Sequence, residues 1–146
     1  MLNVYSVSDL GISLTTNQSV AFNVDSTDTC CRIDFTAGSS VIGIDKPGYY
    51  LVHFNSTGYN TGEASTVDSS DGTYSFQLYN NGIAVPNAKA RATSTSDAVI
   101  ANVSFETIIE VKRSCCMVNN NASLTVNYLG QAGTLLDATL TIVKLS

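Results

Sequence analysis

Apolar and polar residues alternate within several segments of the sequence, and this pattern constrains the fold of the chain more than any other feature. In the segment 98–113 the odd-numbered positions from Val99 to Val111 are apolar except Thr107, and most even-numbered positions are polar. Successive side chains of a β-strand point to opposite faces, so this pattern predicts a strand with one face on a core. Ser, Thr and Asn supply 18, 16 and 13 of the 146 residues, and they disfavour helices because their side chains compete for backbone hydrogen bonds. We therefore expect an all-β domain.

Strands are predicted wherever such runs lie between turn residues. The turns include Pro47-Gly48 and Asn80-Asn81-Gly82, where proline fixes φ and glycine admits a positive φ. Residues 1–17 are expected to be an N-terminal segment, either an attachment peptide or a first edge strand, and residues 18–146 a single domain. Eight to ten strands at this spacing predict a sandwich or a small barrel. The predicted strands are 18–24, 31–35, 40–44, 48–57, 72–80, 87–93, 98–113 (one strand or two), 123–129 and 134–144.

The charge of the chain excludes several classes of protein. Only 13% of the residues are charged and the formal net charge is -5, whereas an ordinary soluble domain has about 25% charged residues. The few Lys and Arg residues are scattered, so no basic surface is expected for nucleic acid. No apolar run approaches the roughly 18 residues of a membrane span, and the N-terminus lacks the basic flank and apolar block of a signal peptide. We expect neither nucleic-acid binding nor membrane insertion.

Catalytic residues are not expected. His53 is the only histidine, so any Ser-His or Cys-His catalysis would depend on it. Alternation places it on a strand face beside Tyr49 and Leu51, which is typical of a packed or contact histidine. Glu106 and Glu110 share a strand face but lie too far apart to share a proton. No nucleophile elbow, phosphate loop or dinucleotide fingerprint is present in the sequence.

The four cysteines form two adjacent pairs, Cys30-Cys31 and Cys115-Cys116. Three states remain open: buried thiols, disulfides that join the two pairs, and a metal site that uses all four sulfurs. Adjacent ligands strain a zinc tetrahedron, because paired zinc ligands are usually about two to four residues apart. Thiol titration of the denatured chain distinguishes these states, since four reactive thiols without reductant exclude disulfides.

Several motifs in a fixed order resemble one known group of domains. Pro47-Gly48-Tyr49-Tyr50 opens a long strand, TYSFQLYNNGIAVPNA follows at 73–88, an apolar double run ends in VKR at 111–113, and ATLTIVKL ends the chain at 138–145. Together with the Cys-Cys before the penultimate strand, this order resembles the C1q/TNF-like trimeric jelly roll. The resemblance is strongest to the variants in phage and prophage virion proteins and in bacterial collagen-like or exosporium surface proteins, and it spans about residues 18–145.

The resemblance implies an all-β, two-sheet antiparallel jelly roll of about ten strands that assembles as a tight homotrimer. It also implies termini that lie close together, and binding or structural work without catalysis. Many members of this group carry collagen-like repeats or another stalk upstream, whereas about 17 residues precede the first predicted core strand here. This departure favours a free-standing head or a short attachment peptide.

The strand at 49–54 is apolar on both faces, with Tyr49, Leu51 and His53 on one and Tyr50, Val52 and Phe54 on the other. Burial on both sides is explained if one face meets a neighbouring subunit, as the trimeric resemblance implies. The alternative is a monomer whose long loops cover that face. The low charge also favours assembly, because a monomer of this size uses charge to guard its sheet edges. The candidate contact residues are Tyr49, Tyr50, His53, Tyr74, Tyr79, Phe105 and Tyr128.

The resemblance implies a non-enzymatic virion protein, either a capsid decoration or a head or tail fibre module that contacts host surfaces. Because a signal peptide is not expected, we expect the protein to assemble in a bacterial cytoplasm. Its expected partners are further copies of the chain and other virion proteins. The alternative is an adhesive or carbohydrate-binding module of a bacterial cell or spore surface, with host glycans as ligands. Its candidate ligand loop contains Tyr59, Asp68 and Asp71.

No cofactor is expected. Some proteins of the C1q-like group bind calcium through loop oxygens, and Asp25, Asp28, Asp68 and Asp71 are the corresponding candidates. Their spacing matches no calcium loop, and clusters of Ser, Asp and Gly are mainly turn formers. We therefore expect solvated loops at these positions.

Overall fold

The computed structural model describes residues 1–25, 33–61, 72–94, 99–112 and 122–145. In these ranges the regular structure consists of ten β-strands, and no helix there is long and apolar enough to cross a membrane. The strands are β1 (Leu2–Leu14), β2 (Val24–Asp25), β3 (Ile33–Asp34), β4 (Ile42–Ile44), β5 (Gly48–Asn60), β6 (Thr73–Asn80), β7 (Ile83–Thr93), β8 (Ala101–Val111), β9 (Ala122–Tyr128) and β10 (Gly133–Lys144).

The strands form two five-stranded sheets. The first sheet has the order β2-β1-β10-β5-β8 and the second has the order β3-β4-β9-β6-β7. Every ladder between neighbours is antiparallel. The predicted all-β, two-sheet antiparallel jelly-roll sandwich is confirmed.

Aromatic side chains join the two sheets at the centre of the core. Phe54 of the first sheet lies between Phe105 of the same sheet, at a ring-centroid distance of 5.2 Å, and Phe76 of the second sheet, at 5.1 Å. Phe76 in turn contacts Tyr74 at 4.9 Å and Tyr128 at 5.3 Å. Stacked, tilted and edge-on ring pairs of this kind stabilise a core beyond the effect of area alone. The period-two pattern of β5 and β8 is therefore the inward face of the first sheet.

The N-terminal residues belong to the sandwich. β1 pairs with both β2 and β10, and Leu2, Val4 and Leu14 are buried in the core. We expected residues 1–17 to be either an attachment peptide or a first edge strand. Within β1 the register shifts at a bulge, since Val7 pairs with Asp137 whereas Ile12 pairs with Leu135.

Other strand boundaries also differ from the predictions. The segment 98–113 contains one strand in the described residues, β8, because its alternation continues without a turn. β7 begins directly after the Asn81-Gly82 turn, four residues before the predicted start at 87. In the predicted strand 18–24, Ser19 forms an isolated bridge with Asn127 and regular pairing begins only at Val24.

The two ends of the sandwich are built differently. At one end Leu2 pairs with Ile142, so the two chain termini lie close together, as the resemblance implied. We call this the terminal end. At the opposite end, where β5 ends and β6 begins, the buried Tyr74 hydroxyl shares a 2.7 Å hydrogen bond with Ser56 Oγ, which donates to the Asp137 carbonyl oxygen at 3.0 Å. We call this the tyrosine end.

A second set of hydrogen bonds completes the tyrosine end. Asn60 Nδ2 donates to the Thr73 carbonyl oxygen at 2.8 Å and to the Tyr128 hydroxyl at 3.4 Å. The backbone N–H of Asn60 donates to Ser94 Oγ at 3.0 Å, and that hydroxyl donates to the Val99 carbonyl oxygen at 2.7 Å. Because buried polar groups are costly unless they are paired, this network fixes how β5, β6 and β8 meet.

Three glycines make room for the two tyrosine hydroxyls. A Cβ at Gly58 would collide with Tyr74 and with the Thr134 carbonyl oxygen, and a Cβ at Gly130 or Gly133 would collide with Tyr128. The close approach of backbone to ring explains glycine at each position.

We expect Gly58→Ala to lower the free energy of unfolding by about 3 kcal/mol, because a buried ring and a backbone oxygen must both move to admit the methyl group. Gly82→Ala is the control, since a Cβ there meets nothing within 4 Å although φ is +78°. Its cost is about 1 kcal/mol for the positive φ. Urea unfolding of both variants measures the difference, and equal losses would contradict a packing role for Gly58.

Candidate interaction surface

The solvent-facing side of the first sheet carries the residues of β5 that point away from the core. We call it the outer face. Strand register places Leu51, His53, Asn55 and Thr57 each between one residue of β10 and one of β8. The face therefore consists of rows that run across the sheet, and the composition of these rows changes from one end of the sandwich to the other.

Near the terminal end the outer face is apolar. Leu51 pairs with Val143 of β10 and with Ile108 of β8, so three apolar side chains form one row. Tyr49 continues the patch, and its carbonyl oxygen accepts a 2.8 Å hydrogen bond from the Leu145 N–H. Ile108 is 58% exposed, Leu145 51% and Tyr49 49%. We call these five residues the terminal patch, and an exposed apolar patch of this kind marks a contact surface.

The centre of the outer face holds the only histidine. His53 pairs with Thr141 of β10 and with Glu106 of β8. The Thr141 hydroxyl donates to Asn3 Oδ1 at 3.1 Å, and Asn3 Nδ2 donates to the Tyr5 hydroxyl at 2.6 Å. The Thr141 hydroxyl opposite His53 thus donates its proton to the Asn3 amide and not to the imidazole. Thr141 is therefore not arranged as a nucleophile that His53 activates.

Towards the tyrosine end the outer face is polar, and its charged residue is the exposed Asp137 of β10, which pairs with Thr57. Asn102 Nδ2 donates to Thr57 Oγ1 at 3.0 Å and approaches Asn55 Oδ1 at 3.5 Å. Tyr59 lies near the end of β5, half-buried and paired with Thr134. The outer face therefore grades from an apolar patch, through a histidine and a carboxylate, to a field of short polar side chains.

Four of the candidate contact residues lie inside the protomer, which corrects the prediction. Tyr50, Tyr74, Phe105 and Tyr128 are buried core residues. Tyr50 points inward because it lies two residues before the inward Val52 on the same strand. The other three side chains belong to the aromatic cluster of the core. Large aromatic residues suit interfaces and cores alike, so residue type alone did not distinguish the two.

The remaining candidates have three different placements. Tyr49 and His53 lie on the outer face, as predicted from alternation. Tyr79 is half-buried on the solvent side of the second sheet, opposite Thr125 of β9. The structure therefore places two of the seven candidates on the outer face, and it adds Ile108, Val143 and Leu145 beside them.

The cysteine and loop predictions fall mostly outside the described residues. These positions are Cys30, Cys31, Cys115, Cys116, Asp28, Asp68 and Asp71. The backbone of Asp25 lies in β2 and pairs with Val4. In the part of the chain that the structure describes, no three His, Cys, Asp or Glu residues are grouped so as to hold a metal ion.

Burial controls the electrostatics of the two tyrosines at the tyrosine end. Desolvation raises the pKa of Tyr128 to about 12, although the hydrogen bond with Asn60 acts in the opposite direction. Desolvation raises the pKa of Tyr74 further, and its hydrogen bond with Ser56 offsets only part of the effect. Both hydroxyls stay neutral at physiological pH and serve as structural hydrogen-bonding groups.

Comparison with known proteins shows the fold. No protein-family model and no curated protein sequence matches the chain. Among solved structures, the globular domain of zebrafish complement 1qA protein is similar with a TM-score of 0.68 and 15% identity, over 99% of this chain and 96% of that one. The Eiger TNF of S. frugiperda is similar with a TM-score of 0.67 and 13% identity, over 100% and 92%.

A third solved structure, PRD1 vertex protein P5, is similar with a TM-score of 0.58 and 13% identity, over 99% of this chain and 96% of that one. Similarity at such low identity concerns the fold alone. The protein has the C1q/TNF-like jelly-roll fold, as the sequence resemblance predicted.

We expect alkaline pH to destabilise the protein through Tyr128. Its folded-state pKa of about 12 lies above the usual value of about 10. The contribution to stability is therefore complete below pH 10 and is lost as the pH rises through 12, a change of about 3 kcal/mol. Urea unfolding at several pH values measures the slope, and Tyr128→Phe reduces it.

Tyr49→Phe is the matched control, because the Tyr49 ring lies on the outer face rather than in the core. This variant should retain the alkaline slope of the unmodified protein. An unchanged slope in Tyr128→Phe would contradict the assignment.

Proposed function

We propose that the protein is a non-enzymatic, homotrimeric structural module of a virion surface, either a capsid decoration or a head or tail fibre module. The terminal patch carries this proposal. The sandwich already closes its core with the aromatic cluster, so the exposed Tyr49, Ile108 and Leu145 are left over for another molecule.

The charges on the surface favour a second copy of the chain as that molecule. Glu106 and Glu110 lie on β8, at the edge of the outer face. Lys89 and Arg91 are exposed on β7, which forms the adjoining edge of the second sheet. If the β7 edge of one copy packs on the outer face of the next copy, the basic side chains of β7 lie beside the glutamates of β8. Such a head-to-tail contact closes into a ring. A two-fold contact between outer faces would instead oppose the glutamates.

The virion assignment rests on the fold and on one similar structure. A protein described as a vertex protein of phage PRD1 shares the fold over nearly its whole length. Adjacent chain termini at one end of the sandwich suit attachment at that end and display of the opposite end. The partners that we propose are further copies of the chain and other virion proteins.

An adhesive or carbohydrate-binding role at a cell or spore surface is the second candidate. The half-buried Tyr59 beside Thr134 and Thr57 favours it, because sugar rings stack on aromatic side chains and hydrogen-bond to hydroxyls. Specific binding on a glycan array that Tyr59→Ala abolishes would support this role over a purely structural one.

We expect sedimentation at micromolar concentration to give three times the single-chain mass of 15.4 kDa. Ile108→Glu places a charge in the terminal patch and should shift the protein to the single-chain mass, because an unpaired charge is costly to bury. Far-UV circular dichroism checks that the fold is retained.

Val41→Glu is the matched control, since Val41 is 45% exposed beside β4 of the second sheet. It should leave the trimer intact. A single-chain mass for the unmodified protein would contradict the trimer, and equal dissociation by both variants would contradict the outer face as its interface.

Immunogold labelling with an antibody against the protein should decorate virus particles in lysates of the source cells. Labelling confined to cell or spore surfaces would contradict the virion assignment and support the adhesive role.

A further inference from the structure

A histidine and a glutamate lie side by side at the centre of the outer face. His53 pairs directly with Glu106 across β5 and β8. Directly opposite residues in an antiparallel pair have Cβ atoms about 4.5–5.5 Å apart. The next row towards the terminal end is Val143, Leu51 and Ile108. The histidine and the carboxylate thus border the apolar surface that we propose to be covered by another copy.

The other groups that face His53 are uncharged. On β10 they are Thr141 directly opposite, with Thr139 and Val143 diagonally placed. On β8 Ser104 and Ile108 flank Glu106, and Leu51 and Asn55 are the neighbours on β5 itself. Glu110 lies two rows away, opposite Tyr49, and its Oε2 is 3.8 Å from Lys112 Nζ. Asp137, opposite Thr57, lies two rows away in the other direction. Among the described residues of these strands, Glu106 is therefore the charged residue nearest to His53 in the register.

We propose that self-association through the outer face takes up protons at His53, so that the trimer is tighter at mildly acidic pH than at alkaline pH. The inference rests on the proposed self-association. In the free protomer, water screens the interaction between the side chains of His53 and Glu106. Once a second copy covers the face, the Glu106 carboxylate loses its hydration. A protonated His53 on the neighbouring strand then supplies the positive charge that compensates it.

The sign of the dependence follows from this pairing. If the covered state favours the charged imidazole, association binds protons, and the association constant rises as the pH falls. The opposite sign would result if the imidazolium groups of several copies met one another, since like charges repel. The direction of the change therefore tests whether Glu106 is the partner.

Sedimentation equilibrium of the full chain from about pH 5.5 to about pH 8, at constant ionic strength, tests the proposal in the range where an ordinary histidine titrates. We expect the dissociation constant to increase by about tenfold or more across this range, because each protomer of the trimer contributes one proton. His53→Gln should abolish the dependence. Glu106→Gln should also abolish it and should tighten association at the alkaline end, because it removes the desolvated charge.

Glu110→Gln is the control, and it should keep the pH dependence of the unmodified chain. A trimer whose dissociation constant is flat across this range, or whose dependence has the opposite sign, overturns the proposal and leaves the proposed trimer standing. The proposal is also overturned, with the trimer retained, if His53→Gln keeps the full pH dependence. A single-chain mass at every pH overturns the proposed self-association, and the pH proposal with it.

Discussion

The packing of Phe54 between Phe105 and Phe76 is the interaction on which the rest of the structure depends. It joins the two sheets and fixes which face of β5 points inward. Because neighbouring strand residues alternate, an inward Phe54 puts His53 and Asn55 outside, together with every second residue up to Tyr49 and Tyr59. The rows of the outer face follow from that one assignment and from the register with β8 and β10.

The two ends of the sandwich have different chemistry because they close the core in different ways. At the tyrosine end, buried hydroxyls are paired with Ser56, Asn60 and main-chain carbonyls, and glycines let the rings approach the backbone. At the terminal end, the chain termini and the start of β5 leave apolar side chains in solvent. The polar groups of the tyrosine end are paired within the protomer, whereas the terminal end presents an apolar surface for association. The low overall charge is consistent with this division, since a surface covered by a neighbour needs few charges.

How much could be predicted depended on how far the alternation continues unbroken. β5, β8 and β10 were predicted close to their observed positions because no bulge disturbs their inward residues over most of their length. For β1 the sequence left an attachment peptide and a first edge strand open, and its pairing shifts register at a bulge between Val7 and Ile12. For the candidate surface, alternation correctly put Tyr49 and His53 on one face, but it could not separate Tyr74 and Tyr128 from interface tyrosines, since both environments favour large aromatic residues.

The sequence by itself determined an all-β chain, the positions of most strands and the two faces of β5, because these depend on local periodicity and turn chemistry. Only the tertiary structure decided which strands are neighbours, and with them the row that joins Leu51 to Val143 and Ile108 and the pair of His53 with Glu106. These residues are up to about 90 positions apart in the chain, and the hydrogen bonds that set their register are made by backbone groups that every sequence shares. The side chains of one strand predict its faces, but the partner across the sheet follows only from how all ten strands close a single core.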